Sequence, residues 1–379
     1  MLFYTMANLF TLTLFISSCS SFRLPSPSRL TLTLHTLTPT SHEETLNHHS
    51  IVVNSFPEIV QKAVDDILLV TGEDSWQPSD LLSYPPKEGW KESNEGLSDE
   101  LLVVLIGDMI TEEALPTYQT LLNTFAGCSD PTGSSPTPWS QWSRGWTSEE
   151  NRHGDLLNRF LFMNPERIDM RSVECTVQHL ITSGFDPGAD RDPYKGFIYT
   201  SFQERATKIS HGNVGKLAKK VGAENLSRIC AYIAGDEARH EIAYQGFCTE
   251  ILERDPEGFI VSMGEVMRKG ITMPAEMMQD GHNKNLYQEF SSVAQDLGVY
   301  TAFDYADIAA HLVRIWNLEK LTGLKGEADK EREFICKLPD RYRKLAERAE
   351  KKKEKGRTNV GPKDAKVMEK TFKWIKKRS

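Results

Sequence analysis

The sequence predicts an all-α protein organised as one large helical bundle. Three observations carry that expectation. Apolar residues recur at helical spacing over long stretches, and segments with strand-like alternation are few. Strand and helix patterns do not alternate, and neither G-x-G-x-x-G nor a phosphate-loop motif occurs. The 379 residues, 39% hydrophobic and 26% charged, suffice for a sizeable core and exclude collagen-like, low-complexity or wholly disordered chains.

The elements follow in order. Residues 1–42 contain Arg23 and Arg29, 15 Ser/Thr and no acid before Glu43, the composition of an organelle transit peptide. The apolar stretch Leu9 to Ile16 ahead of Ser17 and Ser18 competes as a secretory signal, but no positive charge precedes it. A two-part leader would reconcile both features, and residues 1–45 are assigned to it. Asp99 to Phe125 reads as a long apolar helix with carboxylates late in it. Pro116 removes the hydrogen bond to the Glu112 carbonyl and is expected to kink that helix. A Pro/Ser/Gly-rich loop (131–138) leads into Pro138 to Phe162, and Met170 to Gly184 follows. After an Asp/Pro/Gly loop (186–192) come Tyr194 to Lys220 and Leu226 to Glu253. The last helices are Asp255 to Lys269, where Pro256 suits a helix start, then Leu286 to Leu297, Ala302 to Leu321 and Lys325 to Lys353. The bundle is expected over 46–350 and a basic tail over 351–379.

Charge and cysteines narrow the function classes. The net charge is −8, yet residues 337–379 hold 17 Lys/Arg and 6 Asp/Glu, which leaves −19 for residues 1–336. An acidic body argues against a nucleic-acid partner. The basic end reads as a solvated helix and a flexible tail. Six scattered cysteines without a C-x-x-C do not form a disulfide framework, zinc ribbon or cysteine-ligated cluster, and fit a reducing compartment. No membrane span is expected after the first twenty residues.

Four of the helices carry chemistry. Glu150-Asn-Arg-His153 and Glu237-Ala-Arg-His240 are the only Glu-x-x-His sequences in the chain. Each has Arg before the His and an acid before the Glu (Glu149, Asp236). On a helix, i and i+3 share a face at about 5–6 Å, so both side chains reach one metal pair. A di-iron carboxylate bundle adds one Glu from each of two further helices. Glu112 lies on the helix before the first pair and Glu204 on the helix before the second. The order Glu, then Glu-x-x-His, occurs twice, as a pseudo-twofold site requires. Four carboxylates match the charge of two ferrous ions, and two imidazoles with open positions suit iron that meets O2. From these residues alone, a di-iron hydroxylase, a ribonucleotide reductase small subunit with a nearby tyrosine (Tyr199 or Tyr232), a ferroxidase or a non-catalytic iron-storage bundle remain alternatives. Storage bundles, however, are much shorter.

Residues 107–118, 149–155, 196–207 and 236–241 together resemble the plant plastid acyl-acyl-carrier-protein desaturases of the stearoyl type. Trp76-Gln-Pro, Met273-Pro-Ala, residues 297–302 and Lys320-Leu-Thr-Gly323 match as well, so that the resemblance covers most of 54–350. It implies a ferritin-like di-iron carboxylate helical bundle with additional helices, acting as a homodimer in the plastid (chloroplast) stroma. The implied reaction inserts a cis double bond into a saturated acyl chain on acyl carrier protein, with stearoyl at Δ9 the leading expectation. The reaction uses O2 and electrons from reduced ferredoxin. The implied ligands of the two irons are Glu112, Glu150, His153, Glu204, Glu237 and His240, with Glu150 and Glu237 as bridges.

Further residues follow from the same reading. Thr207, one turn past Glu204, is the expected catalytic hydroxyl. Asp236 should orient His153 and Glu149 should orient His240. Trp139, Trp142 and Trp146 form a helical stripe that is mainly core, while the resemblance places Trp146 near the acyl channel and gives Trp76 a part in carrying electrons inward. Tyr118, Leu121, Thr124, Phe125, Gly196 and Phe197 are the candidate tunnel walls. Phe125-Ala126, Lys195 and Gln288 depart from the commonest family pattern and leave chain length and double-bond position open. Arg341, Arg343, Lys344 and Arg348, or Lys208, Lys216, Lys219 and Lys220, are the candidate docking surfaces for acidic protein partners.

Overall fold

The structure, a computed structural model, describes residues 41–69, 75–357 and 372–376. Fourteen α-helices occur among the described residues, joined by short 3-10 turns and by no sheet. They are α1 (Ser41–Val53), α2 (Pro57–Asp66), α3 (Pro78–Leu81), α4 (Trp90–Asn94), α5 (Asp99–Glu113), α6 (Leu115–Leu122) and α7 (Pro138–Phe162). The remainder are α8 (Met170–Ser183), α9 (Pro193–Lys220), α10 (Glu224–Arg254), α11 (Pro256–Lys269), α12 (Leu286–Leu297), α13 (Ala302–Ile315) and α14 (Gly326–Arg357).

Capping chemistry sets where the central helices start. Ser98 accepts from the Leu101 N–H and starts α5, with Asp99 and Glu100 in the first turn favouring its positive end. Thr137 caps α7 ahead of Pro138, and Asp192 caps α9 ahead of Pro193. Helix α5 is buried on almost every side: Leu101 to Ile106 are all in the core. It packs on α7 and α9, while α9 and α10 lie against each other along much of their length. The centre is therefore two helix pairs, α5/α7 and α9/α10. Helices α2, α8 and α12 cover the first pair, α11 and α13 cover the second, and α14 packs on α11 and α13.

Several expectations are corrected. The stretch expected from Asp99 to Phe125 as one helix kinked by Pro116 is two helices: the first ends at Glu113 and the second starts at Leu115, because Pro116 offers no N–H to continue the ladder. Phe125 then lies in the turn after α6 rather than on a helix. Residues 1–40 of the assigned leader lie outside the described residues, whereas 41–45 already belong to α1, whose Leu46, His49 and Val53 are buried. The tail is not uniformly a flexible end. Phe372, Trp374 and Ile375 are buried in the core, and Trp374 Nε1 donates to Thr176 Oγ1 at 2.9 Å. The Asp169 N–H reaches the Trp374 carbonyl, and Ile375 bridges Ile168. Three large apolar side chains in a basic segment outweigh its charge once they find a groove beside α8. Among the described residues no helix is long and apolar enough to cross a membrane.

Candidate metal centre

The two helix pairs bring Glu112 (α5), Glu150 and His153 (α7), Glu204 (α9), and Glu237 and His240 (α10) to one buried point. Two sets of atoms emerge, one from Glu112, Glu150, His153 and Glu237 and one from Glu150, Glu204, Glu237 and His240; within each, all atoms lie within 4.8 Å of one another. Glu150 and Glu237 belong to both. The geometry is nearly twofold. His153 Nδ1 lies 3.2 Å from Glu150, 3.5 Å from Glu237 and 3.9 Å from Glu112 Oε2. His240 Nδ1 lies 2.9 Å from Glu150, 3.5 Å from Glu204 Oε2 and 3.9 Å from Glu237.

These atoms lie at ion-pair distance but without hydrogen-bond geometry. His153 Nδ1, His240 Nδ1, Glu150 Oε1 and Glu237 Oε1 are buried and make no hydrogen bond. Buried polar atoms are rarely left so, and four that aim at one place fit a cation that would satisfy them all. The metal-free electrostatics agree. Burial pushes Glu112 up to about 7 and Glu204 well above the carboxylate range. Burial acts on Glu150 in the same sense, but the adjacent His153 and His240 imidazoles outweigh it and leave Glu150 at about 2. A cluster that must protonate some members to stay buried is one that cations relieve.

The outer nitrogens are held by the acids that precede Glu150 and Glu237. His153 Nε2 is 3.2 Å from Asp236, and His240 Nε2 is 2.8 Å from Glu149. Asp236 also accepts from Trp76 Nε1 at 3.0 and 3.1 Å and from Arg239 at 2.7 Å. Glu149 accepts from Arg239 at 2.6 Å and from the Leu69 N–H. Arg152 reaches Asp236 at 3.4 Å and Glu149 at 3.7 Å. The arginine before each histidine thus compensates the charge of this outer layer, a role the repeated Arg-His signalled and the sequence reading left unassigned. Trp76 stacks parallel to His153 with ring centres 6.1 Å apart, and half-exposed Tyr232 meets its edge at 5.8 Å. His211, on α9, also escaped the sequence reading; its Nε2 lies 3.0 Å from Glu112 Oε1.

Two cavities meet at this cluster. The inner one is walled by Tyr118, Leu121, Phe125, Trp146 and Gly196, with Glu150, Glu204 and Glu237 on its metal side. The outer one runs past Asp108, His211, Phe290 and Tyr300. They share Thr111, Glu112, Gln203, Thr207 and Pro274, so the passage passes Thr207 where it meets the carboxylates. A groove walled by Met273, Tyr287, Ser291 and Tyr300 continues it outward to Tyr342 and Leu345 of α14. The Thr207 hydroxyl donates back to the Gln203 and Glu204 carbonyls, each at 3.1 Å. Phe125 packs against Gly196, where a Cβ would lie 2.2 Å from its ring.

Two expected tunnel walls are corrected. Thr124 is exposed, because the chain turns after α6 and its hydroxyl bonds back to the Leu121 carbonyl. Phe197, one residue round the helix from Gly196, points into an aromatic core against Trp139, Tyr244 and Phe247. Of the tyrosine alternatives, Tyr199 lines the inner cavity with the carboxylates. Tyr199 gives its hydroxyl to the Thr272 carbonyl and Tyr232 sits at the surface.

Comparison with known proteins agrees with this geometry. The chain is 54% identical over 310 residues to the chloroplastic stearoyl-[acyl-carrier-protein] 9-desaturase 1 of Arabidopsis thaliana, covering 80% of this chain and 76% of that one. It is 54% identical over 297 residues to the chloroplastic acyl-[acyl-carrier-protein] desaturase of Cucumis sativus, covering 76% and 74%. The chloroplastic stearoyl-[acyl-carrier-protein] 9-desaturase of Olea europaea matches at 52% over 296 residues, 76% of each chain. Among solved structures, DesA2 of Mycobacterium tuberculosis H37Rv covers 76% of this chain and 99% of that one at 16% identity and a TM-score of 0.45, too loose a likeness to carry weight. The fatty acid desaturase family itself matches residues 49–375, from α1 to the docked C-terminal segment, and the chain belongs to that family.

Proposed function

We propose that this desaturase inserts a cis double bond into a saturated acyl chain, stearoyl at Δ9 before others, delivered on acyl carrier protein. Its electrons come from reduced ferredoxin and its oxidant is O2. It works as a homodimer in the plastid stroma. The observation that carries the reading is the run of adjoining cavities from the α14 surface past Thr207 and the carboxylate cluster to the apolar wall at Phe125. The chloroplastic relatives support the compartment.

Glu112, Glu150, His153, Glu204, Glu237 and His240 would hold two irons, with Glu150 and Glu237 between them. The metals supply the capacity to remove hydrogen from an unactivated methylene, which no side chain has. The chain's own residues do the rest. Asp236 and Glu149 fix each imidazole by its outer nitrogen, so that Nδ1 faces the metal position. Tyr118, Leu121 and Trp146 hold the acyl chain and exclude water from it. Thr207 is the hydroxyl at the meeting of the cavities. Turned from its backbone carbonyls, it can hold or pass a proton during O2 reduction. Trp76, between Tyr232 and the His153–Asp236 pair, lies on a route from the surface suited to electron entry.

The α14 basic cluster is the better docking candidate for the acidic carrier. Arg341, Arg343, Lys344 and Arg348 are exposed and flank Tyr342 and Leu345, which line the outer groove. Of the alternative set, Lys208 pairs with the buried Glu241, whereas Arg343 of the α14 cluster pairs with the exposed Asp307. Iron-loaded protein incubated with stearoyl- or palmitoyl-carrier protein, ferredoxin, its reductase and O2 should yield a monounsaturated product, and KM for the carrier substrate should rise with salt. No unsaturated product from either carrier would reject the reaction. A salt-independent KM would reject the docking surface.

A further inference from the structure

The outer carboxylates, Glu112 and Glu204, are related by the site's twofold, but their supports are not alike. Glu204 presents Oε2 toward His240 and receives the Trp146 indole N–H on Oε1 at 3.1 Å. Glu112 presents Oε2 toward His153, and its Oε1 lies 3.0 Å from His211 Nε2. An indole N–H can only donate, and with metal bound the Glu112 carboxylate can only accept, so the His211 nitrogen donates as well. The burial of His211 has no other evident purpose. It is 1% exposed, and beside Glu112 its neighbour is the Cys230 thiol of α10, a weak hydrogen-bonding group. Burying an imidazole with so weak a second partner is unfavourable, so the bond to Glu112 must matter. The two donors also face different spaces: Trp146 lines the inner cavity and His211 the outer.

We propose that His211 and Trp146 are paired positioning residues, each fixing one oxygen of an outer glutamate so that the other faces its metal, and that the two half-sites are thereby unlike and can be loosened separately. This rests on the six residues being iron ligands. Removing an outer partner of a metal ligand typically weakens binding about 10–100-fold. His211→Ala should therefore loosen one iron, Trp146→Phe the other, and the double variant both.

The test is release of ferrous iron to an excess of a coloured chelator, followed in full-length, iron-loaded protein, with Mössbauer spectra of the same samples. Wild type should release two irons per chain slowly. His211→Ala should release one equivalent about tenfold faster or more and leave the second near the wild-type rate. Its Mössbauer spectrum should change in one of two doublets. Trp146→Phe should change the other doublet. His211→Gln, which keeps an N–H at a similar reach, should return release to within about threefold of wild type. Wild-type release in His211→Ala, equal acceleration of both irons, or failure of Gln to rescue a folded protein would overturn the positioning role alone. A wild-type chain that binds no iron would overturn the ligand assignment and this inference with it.

Discussion

Replacing Phe125 with Leu should shift chain-length preference toward the longer acyl group. Phe125 is 2% exposed and stands between the inner cavity and the aromatic core, meeting Phe197 edge-on with ring centres 6.2 Å apart. Its ring occupies the notch left by Gly196. Leucine is shorter and lacks the ring's far edge, so the space released adjoins the cavity. If the acyl terminus reaches this wall, about one further methylene can be buried there. At about 0.8 kcal/mol per methylene, that gain is roughly fourfold in relative kcat/KM. The loss of ring contacts should lower stability by about 1–2 kcal/mol, within the usual range for a core substitution. The assay is competition between stearoyl- and palmitoyl-carrier protein, with products separated by chain length. A stearoyl-to-palmitoyl ratio within about twofold of wild type, or a shift toward palmitoyl, would refute the placement of Phe125 at the acyl terminus.

Further predictions concern the hydroxyl, the docked tail and the charge clusters. Thr207→Val keeps the volume but removes the hydroxyl, so it should slow desaturation or divert O2 to peroxide; unchanged rate and coupling would leave Thr207 a packing residue. Trp374→Ala should lower stability by about 3–5 kcal/mol, read as a lower thermal midpoint, because the side chain is fully buried and its indole is bonded to Thr176; an unchanged midpoint would mean the segment contributes nothing. Burial raises Glu241, but His311, Lys208 and Arg205 outweigh it and hold the group at about 2. Its contribution is thus present above the unfolded carboxylate value and lost as pH falls from about 4.5 toward about 2. Glu241→Gln should flatten that acid limb in unfolding experiments, and an unaltered limb would contradict the assignment.

Much of the site was legible because its chemistry is local in sequence. Glu-x-x-His puts two ligands on one helical face, and the acid before each Glu lies near the adjoining face, facing the imidazole of the partner helix. The repeat of Glu, then Glu-x-x-His, fixed the pairing of helices as well. His211 was not legible, since nothing in the spacing of residues 204 and 211 shows that a side chain from another helix, Glu112, lies in reach. Thr124 and Phe197 failed for a related reason. Neighbours of true wall residues were read as walls, but a turn after α6 and a 100° step along α9 send them elsewhere. The docked segment at Phe372 to Ile375 was hidden by composition: lysines around it dominate the charge, while three apolar side chains decide its place. The break at Ala114 lies where Pro116 led a kink to be expected, although the apolar pattern alone extended the helix through it.

The most direct measurement is the metal content of full-length protein prepared with ample iron. The two half-sites, with Glu150 and Glu237 common to both, predict two non-haem irons per chain, and Glu237→Ala should lose iron and turnover while keeping its helix content. One zinc per chain, iron at background, or a Glu237→Ala variant that retains both irons and full activity would contradict the site described here.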